Sequence, residues 1–456
     1  MSQAREVALE AIYRVNEDDA YSNLILDELL AKSDLSNEDK GLVTQILYGS
    51  LRYRNSLDWI INQFATQKVV DMTPWVRNAL RMGVYQLHYL DKVPDHAACN
   101  ETVEVAKNHC NRGALGFINA ILRNILRQPE KINFPDLEQD PVQHIRYKYS
   151  FPQWMVQRWV KDFGVKKTVE LAKSLNTEPE TFLRTNFLTV EVNQLIAKLE
   201  EEGVKAEPYP LSSEFNEAVS ILKQGKIDDL SAYQQGMFQV QGLSSMLVSH
   251  ILNPESDQFI IDLCAGLGGK TTHLAQLMNN QGEILAVDIH QNKLKRLAAN
   301  AQRLGIKNIE TKAGDGRKVE INQLADKILI DAPCSGFGVI NKKPEIKWQR
   351  KPQDIDQLAK IQAELLEHAA KQLKAGGEII YSTCTFNQRE NEAVIAKFKK
   401  EHQDFEVVNL TNRAEELGVD DSLKNGYLKF LTKEKFDKFF IAKLRKNNNF
   451  AGESNE

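Results

Sequence analysis

The sequence lacks any long apolar run, and none approaches the roughly 18 residues that a membrane-spanning helix requires. Its beginning, Met1-Ser-Gln-Ala-Arg-Glu6, also lacks the charged-then-apolar order of a signal peptide. Among the 456 residues, 42% are hydrophobic and 26% are charged, which is typical of globular proteins. We therefore expect a cytoplasmic protein without membrane contact. Its length predicts two or three domains.

Cysteine is scarce as well. The sequence has five cysteines, which is an odd number, and no two of them form a Cys-x-x-Cys pair. They are Cys99, Cys110, Cys264, Cys334 and Cys384. This pattern argues against a disulfide framework or a zinc ribbon and favours reduced thiols. Three of them at predicted strand ends could hold a metal ion, but no nearby histidine or close second cysteine supports this, so we predict no metal. The net charge of −4 means that any nucleic-acid surface must be a local patch.

The first part of the chain has the apolar spacing of amphipathic helices. Ser36 and Asp39 resemble a capping box ahead of one helix, and Thr73-Pro74 marks the start of another. We predict an all-α bundle over residues 1–145. Residues 146–235 mix helical stretches with short strand-like pieces such as Thr181-Phe-Leu-Arg-Thr185, which predicts a small α+β domain.

From about residue 236 onward, short apolar runs alternate with helical stretches. The runs are Phe259–Leu263, Ile284–Val287, Ile328–Ile330 and Ile379–Tyr381. Alternating β and α units predict a doubly wound parallel sheet, so we assign residues 236–446 to an α/β Rossmann-like domain. The mostly polar residues 447–456 are predicted to be a disordered tail.

A glycine-rich loop follows the first of these strands, in Asp262-Leu-Cys-Ala-Gly-Leu-Gly-Gly-Lys-Thr-Thr272. It matches neither the dinucleotide pattern G-x-G-x-x-G nor the phosphate loop, because Cys264 replaces the leading glycine of the latter. A nucleoside without phosphates is therefore the better ligand. Asp288, at the next strand end, could accept both ribose hydroxyls. Asp315 could bind an adenine amine or could equally be a turn residue.

Two further strand ends each carry a cysteine, in Asp331-Ala-Pro-Cys334 and Ser382-Thr-Cys384. Both thiols should open into one crevice, because ligands bind at the carboxyl ends of parallel strands. A thiolate that adds to carbon 6 of a pyrimidine makes carbon 5 nucleophilic toward a methyl donor. Chemistry alone leaves open which cysteine attacks and which assists. The alternative is that small apolar cysteines merely fill the strand ends.

These motifs together resemble the RsmB/Sun family of RNA cytosine-5 methyltransferases. The resemblance is carried by the glycine-rich loop, by Asp331-Ala-Pro-Cys-Ser-Gly336, and by Tyr381-Ser-Thr-Cys-Thr385 followed by Glu390-Asn-Glu392. In addition, Ala8-Leu-Glu-Ala-Ile-Tyr13 and Phe117-Ile-Asn-Ala-Ile-Leu-Arg123 resemble the NusB-like RNA-binding fold. This combination implies a bacterial enzyme that acts on 16S ribosomal RNA, and we expect a monomer.

The resemblance also implies S-adenosyl-L-methionine as the methyl donor. In this family the later cysteine, here Cys384, is the nucleophile, and the earlier one, Cys334, helps to release the product. Lys270, Asp331 and Pro333 would lie beside the target base. The donor would be held by Cys264, Ala265, Gly266, Leu267, Gly268, Gly269, Lys270, Asp288, Asp315 and Asp331. Arg184-Thr-Asn186 resembles the Arg-x-Asn signature of the small domain, whereas Gly266-Leu267 replaces the usual Ala-Pro.

A basic segment follows Cys334, with five positive charges around Trp348 in Asn341–Lys351. We predict that Lys342, Lys343 and Arg350 bind RNA phosphates while the ring of Trp348 stacks on a base. A solvated helix start is the alternative for any single lysine. Because a base must be unstacked to meet a thiol, the expected target is a single-stranded loop or bulge.

Three functions remain in competition. The first is a ribosomal RNA cytosine-5 methyltransferase, and the second is the same chemistry on another RNA such as tRNA. The third is an RNA-binding module of the antitermination kind whose catalytic domain is inactive. The intact pair Cys334 and Cys384 argues against the third, and a substrate assay separates the first two.

Overall fold

The computed structural model describes residues 2–222 and 226–448. The chain forms two compact units within these residues. Of the described residues, 2–178 and 340–350 form a helical unit, and 179–222, 226–339 and 351–448 form a sheet unit. The domain boundaries at residues 145 and 235 stay a sequence prediction. The predicted disordered tail lies outside the described residues from position 449 onward.

The helical unit is built from amphipathic helices around an apolar core. Ser36 caps one of them, because its Oγ accepts the backbone N–H of Asp39 at 3.1 Å, and Pro74 begins another, as the sequence predicted. Burying each large aliphatic side chain in this core stabilises the fold by about 1.5–3 kcal/mol. The helices are α1 (Ser2–Glu17), α2 (Ser22–Ala31), α3 (Asn37–Arg52), α4 (Arg54–Phe64), α5 (Pro74–Tyr89), α6 (Asp95–Ala106), α7 (Arg112–Arg127), α8 (Pro141–Lys148), α9 (Gln153–Ser174) and α15 (Ile346–Gln349).

A small antiparallel sheet opens the sheet unit. Its strands lie in the order β2-β3-β1-β4, and every pairing is antiparallel. The elements of this region are β1 (Thr181–Thr185), α10 (Val192–Glu201), β2 (Ala206–Pro208), β3 (Ala218–Ile221), α11 (Ser231–Gln234) and β4 (Phe238–Val240).

A second, larger sheet follows, and along the chain helices connect many of its strands. Its elements are α12 (Leu243–Leu252), β5 (Phe259–Asp262), α13 (Gly269–Leu277), β6 (Glu283–Asp288), α14 (Gln291–Arg303), β7 (Ile309–Ala313), β8 (Ala325–Asp331), α16 (Pro352–Gln372), β9 (Leu373–Thr383), α17 (Glu392–Glu401), β10 (Phe405–Val407), α18 (Thr411–Glu416), β11 (Leu423–Lys424), β12 (Tyr427–Phe430) and β13 (Phe439–Lys446).

The strands of the larger sheet run in the order β11-β12-β13-β9-β8-β5-β6-β7, with β10 paired to β13. The pairs from β9 through β8, β5 and β6 to β7 are parallel. The pairs that involve β10 to β13 are antiparallel. The predicted parallel sheet therefore forms one part of a mixed sheet. The order changes direction at β5, which is the point where open α/β sheets bind ligands.

Apolar residues cover both faces of the central strands. In β5, Ile260 packs into the core on one face and Ile261 into the core on the other; in β9, Ile380 and Ile379 do the same. Side chains alternate between faces along a strand. Because both faces are buried, these strands appear in the sequence as continuous apolar runs.

Two glycines in α3 provide a matched test of packing in the helical unit. A Cβ added at Gly49 would come within 1.8 Å of the Tyr85 ring, whereas one added at Gly41 meets nothing within 4 Å. We predict that Gly49→Ala destabilises the protein by about 1–3 kcal/mol through overpacking. Gly41→Ala should stabilise it by up to about 1 kcal/mol, because alanine favours helix. Urea unfolding followed by circular dichroism measures both changes, and a Gly49→Ala protein as stable as the parent would contradict this packing.

Candidate active site

The carboxyl ends of the parallel strands bring most of the predicted site residues to one edge of the sheet. Asp262, Asp288 and Asp331 are the last residues of β5, β6 and β8, and Cys384 directly follows β9. Parallel pairing makes this arrangement unavoidable, because the ends of such strands share one edge. Residues that are far apart in sequence therefore meet here.

The glycine-rich loop connects β5 to α13 at this edge. Gly266 and Gly268 have φ angles of 57° and 84°, a region that favours glycine. The N–H of Gly266 donates to Asp288 Oδ2 at 3.0 Å, which ties the loop to the neighbouring strand end. A Cβ added at Gly269 would meet nothing within 4 Å. The loop is thus held by Asp288, and the space beside Gly269 is open.

Four carboxylates surround the thiol of Cys264 in this loop. Burial raises the pKa of Cys264 well above its ordinary value, and the charges of Asp262, Asp331, Asp288 and Asp315 raise it further. Burial also raises the pKa of Asp262 to about 7. Cys264 therefore stays protonated near neutral pH, which makes it a poor nucleophile.

Asp315 lies in a turn beside the glycine-rich loop, since a Cβ added at the next residue, Gly316, would come within 2.6 Å of the Leu263 carbonyl oxygen. Its carboxylate accepts the backbone N–H of Arg317 at 3.0 Å and the guanidinium of the same residue at 2.6 Å. The hydrogen bond from the Arg317 side chain lowers the pKa of Asp315 to about 2. Asp315 thus has the contacts of a turn residue, and the adenine contact stays a prediction.

The two predicted thiols lie side by side, with Cys334 Sγ 3.2 Å from Cys384 Sγ. The hydrogen bond from Cys334 lowers the pKa of Cys384, although burial opposes this shift. The same bond, followed by burial, raises the pKa of Cys334. The pair therefore ionises first at Cys384, with the Cys334 thiol as its hydrogen-bond donor.

Lys270 and Asp331 form an ion pair beside the thiols. Lys270 Nζ donates to Asp331 Oδ2 at 2.6 Å, and Ser382 Oγ donates to Asp331 Oδ1 at 3.0 Å. The positive charge of Lys270 also favours the Cys384 thiolate. Pro333, next to Cys334, is exposed. Lys270, Asp331 and Pro333 are therefore near the thiols, and their predicted place beside the target base stays a prediction.

The Arg-x-Asn signature fastens the small sheet to the helix that follows the glycine-rich loop. Arg184 is buried and donates to the Gly269 carbonyl at 2.7 Å and to Thr272 Oγ1 at 3.0 Å. Asn186 is also buried and donates to the Leu304 carbonyl at 3.0 Å. Arg184 therefore holds the start of α13 in place, and Asn186 ties the end of β1 to the residue that follows α14.

The basic segment is folded into the helical unit, and Lys347, one of its five positive charges, lies inside that unit. Lys347 is fully buried. Its Nζ donates to the carbonyls of Arg52 and Ser150, each at 3.0 Å, and to Asn176 Oδ1 at 2.7 Å. A lysine with these three partners has no donor left for a phosphate.

Trp348 departs from its predicted stacking role. Its indole N–H donates to the Leu51 carbonyl at 2.7 Å, and the Arg54 guanidinium lies 5.2 Å from its ring centroid. The ring is therefore part of the packing of the helical unit, which contradicts a ring free to stack on RNA. Lys343 is exposed, whereas Lys342 and Arg350 are half-buried. Phosphate contacts stay a prediction for Lys342, Lys343 and Arg350.

Among the described residues, Glu217, His250 and His273 form a buried cluster with the ligand types of a metal site. The imidazole Nε2 atoms of His250 and His273 lie 2.8 Å and 3.3 Å from the same Glu217 oxygen. Burial lowers the pKa of His273 to about 3, so this ring is neutral. Hydrogen bonds from the imidazoles to the carboxylate account for these distances without an ion.

Sequence reasoning missed two residues behind the thiols, Glu390 and Asn391. Both are fully buried, and they directly precede α17, whose first residue, Glu392, is half-buried. The sequence carried a signal, since Glu390-Asn-Glu392 belongs to the family motif. A polar residue before a helix is ordinarily a cap, so spacing alone gave no reason to place them in the interior.

Comparison with known proteins decides the family. A family model described as 16S rRNA methyltransferase RsmB/F matches residues 249–445, and a NusB family model matches residues 2–127. A model of the ferredoxin-like domain of RsmF/B-like methyltransferases matches residues 151–228. A Bacillus subtilis protein named probable ribosomal RNA small subunit methyltransferase B is 37% identical over 450 residues, 98% of this chain and 99% of its own. The chain belongs to the RsmB/F family.

Other relatives and solved structures agree with membership of the RsmB/F family. Ribosomal RNA small subunit methyltransferase B of Escherichia coli O6:K15:H31 is 34% identical and covers 97% of this chain and 98% of its own. The crystal structure of PH0851 has a TM-score of 0.80 at 27% identity, over 98% of this chain and 99% of its own. NSun6 from Pyrococcus horikoshii, solved with SFG, has a TM-score of 0.57 at 26% identity, over 66% of this chain and all of its own.

These matches confirm the predicted family resemblance and the predicted fold class. An all-α NusB-like region, a small α+β region and a C-terminal α/β methyltransferase region follow one another along the chain. In residues 2–222 and 226–448, no helix has both the length and the apolar character needed to cross a membrane.

Lys270 allows a direct test of the electrostatics at the thiols. We predict that Lys270→Met raises the pKa of Cys384, because it removes a cation that favours the thiolate and leaves Asp331 unpaired. Lys270→Arg retains the charge and should stay close to the parent. The rate of Cys384 alkylation by iodoacetamide, measured against pH by peptide mass spectrometry, gives each midpoint. Equal midpoints for Lys270→Met and the parent would refute the proposed influence of Lys270.

Proposed function

We propose that this chain transfers a methyl group from S-adenosyl-L-methionine to carbon 5 of a cytosine in 16S ribosomal RNA, through a covalent cysteine adduct at carbon 6. The observation that carries the proposal is the contact between Cys334 Sγ and Cys384 Sγ, 3.2 Å apart beside the glycine-rich loop. The names of the curated relatives, which refer to the small ribosomal subunit, support the choice of RNA.

The open edge of the sheet suits the proposed donor. When bound, S-adenosyl-L-methionine supplies an electrophilic methyl group on a positively charged sulfonium. The residues that would hold it are the loop Cys264–Lys270 with Asp288, Asp315 and Asp331. The carboxylates at this edge outnumber the lysines and arginines paired with them, which favours a cationic ligand, and the space beside Gly269 leaves room for it. The relative NSun6 was solved with SFG, an analogue of this donor.

Cys384 is the better nucleophile of the two thiols. Addition to cytosine requires a thiolate, and the Cys334 hydrogen bond favours ionisation of Cys384. When the sulfur bonds to carbon 6, electron density moves to carbon 5, which can then attack a methyl group. The Asp331 carboxylate could accept a hydrogen bond from the cytosine amine and so hold the base in place.

Cys334 is suited to the second half of the reaction. After carbon 5 has been methylated, a base removes its remaining proton and the Cys384 sulfur leaves carbon 6. A sulfur leaves more readily when its developing negative charge receives a hydrogen bond. The Cys334 thiol lies 3.2 Å from that sulfur and stays protonated because its pKa is raised. We therefore assign product release to Cys334.

Bisulfite sequencing tests the proposed substrate, because 5-methylcytosine resists the deamination that converts cytosine. Ribosomal RNA and tRNA would be compared from cells with and without this protein. We expect at least one 16S cytosine to be protected only when the protein is present. Protection confined to tRNA would favour the alternative function, in which the same chemistry acts on tRNA. No protein-dependent protection in either RNA would contradict cytosine-5 methylation.

Substitution of each cysteine tests the two roles separately. We predict that Cys384→Ala abolishes methyl transfer, because no adduct can form at carbon 6. Cys334→Ala should instead accumulate a covalent complex with RNA that migrates slowly on a denaturing gel, because release is impaired. A Cys384→Ala protein that methylates normally would show that this role assignment is wrong. Circular dichroism of both variants controls for folding.

A further inference from the structure

Glu390 holds the segment that carries Cys334. Its side chain is fully buried, with Oε1 accepting the backbone N–H of Ser335 at 2.7 Å and Oε2 accepting the Ser335 hydroxyl at 2.6 Å. On the other side of the cysteine, Gln362 donates to the Pro333 carbonyl at 2.9 Å and also to Glu390 Oε1 at 3.3 Å. Cys334 thus lies between two anchored neighbours.

Asn391 holds the segment that carries Cys384 in the same way. Its side chain is also fully buried. Thr383 Oγ1 donates to Asn391 Oδ1 at 2.6 Å, and Asn391 Nδ2 donates to the Thr385 carbonyl at 2.9 Å. The residues before and after Cys384 are therefore tied to one amide.

The two segments are also joined to each other behind the thiols. Ser335 Oγ and Thr385 Oγ1 are 2.9 Å apart. A serine hydroxyl has one proton, and that of Ser335 goes to the Glu390 carboxylate. The hydroxyl of Thr385 must therefore donate to Ser335. A continuous chain of hydrogen bonds runs from Glu390 through Ser335 to Thr385 and Asn391.

We propose that Glu390 and Asn391 are positioning residues that together fix the separation of the Cys334 and Cys384 sulfur atoms. The catalytic consequence rests on the proposed covalent function. Glu390 acts through Ser335, the neighbour of Cys334. Asn391 acts through Thr383 and Thr385, the neighbours of Cys384. Displacement of a reacting group by about 1 Å can cost about 100-fold in rate, so such anchoring has a measurable effect.

The charge of Glu390 gives a second reason for its position. The hydrogen bond to Cys384 raises the pKa of Cys334 most, followed by burial and by the charge of Cys384. The charge of the nearby Glu390 carboxylate raises this pKa further. Glu390 therefore helps to keep Cys334 protonated while Cys384 ionises. An amide in its place would lose this charge and one of the two acceptor atoms, because its NH2 group cannot accept a hydrogen bond from Ser335.

Steady-state kinetics of the full chain with 16S ribosomal RNA give the first test. Glu390→Gln and Asn391→Ala should each lower kcat by about 10- to 100-fold, with the KM for RNA almost unchanged. Glu392→Gln is the matched control, because Lys429 donates to Glu392 at 2.6 Å and no hydrogen bond among the described residues joins Glu392 to either cysteine segment. Unchanged kcat in both variants, or an equal loss in the control, would overturn the proposal.

A chemical measurement tests the same geometry without methylation. Diamide accepts two electrons and two protons as the Cys334 and Cys384 thiols join in a disulfide. We expect this disulfide, detected by non-reducing peptide mapping, to form rapidly in the parent and in Glu392→Gln. Its rate should fall about tenfold or more in Glu390→Gln and Asn391→Ala, because the sulfurs are no longer held together.

Ser335→Ala is the milder second variant in case either substitution prevents folding, since it breaks the chain of hydrogen bonds and leaves the Ser335 N–H bound to Glu390. It should also slow disulfide formation. Unchanged rates in the folded variants would refute the positioning role whatever the enzyme methylates. A parent protein that closes the disulfide at the expected rate but methylates no cytosine would refute only the proposed function.

Discussion

β8 and β9 pair in parallel so that Asp331 lies opposite Ser382, and the Ser382 hydroxyl donates to Asp331. From this register the chain continues three residues to Cys334 and two residues to Cys384, whose sulfur atoms are 3.2 Å apart. A slip of one residue would turn each side chain to the opposite face of the sheet. The apolar residues of both strands fix this register on both faces of the sheet and so bring the two cysteine segments together.

The buried surroundings make each charge at the strand ends effective. Electrostatic interactions strengthen as the local dielectric falls. Here the strengthened interactions move the pKa values of the two thiols apart. The pKa of Cys334 is raised, so this thiol stays protonated, and the pKa of Cys384 is lowered, so this thiol ionises more readily. Buried carboxylates such as Glu390 are costly unless their hydrogen bonds are complete, and Glu390 has donors on both oxygens. The site is therefore organised by polar groups that the surrounding cores hold in place.

The sequence allowed much of this arrangement to be predicted. The central strands were evident because residues such as Ile260 and Ile261 pack on opposite faces and leave an unbroken apolar run. The loop glycines and Asp288 followed from backbone geometry and strand order. The antiparallel strands β10 to β13 were not predicted, because β10, β11 and β12 are only two to four residues long and no helix lies between β11, β12 and β13 to mark a repeating β-α unit.

Burial of polar residues was the main limit on that prediction. Lys347 looks like any surface lysine in the sequence, yet three oxygen acceptors from distant segments enclose its ammonium group. Glu390 and Asn391 looked like residues at a helix start, yet they hold the two cysteine segments. The partners that allow such groups to be buried come from elsewhere in the chain, so local spacing could not reveal them.

The most direct test of the covalent chemistry is the site of attachment to RNA that contains 5-fluorocytidine. Fluorine at carbon 5 cannot leave as a proton, so an adduct formed there should persist. After digestion with trypsin, Cys384 lies in the peptide 375–389, which contains no other cysteine. The account predicts a nucleotide mass on that peptide, attached at Cys384. Methylation of cytosine without any adduct, or an adduct on Cys334 or Cys264, would contradict it.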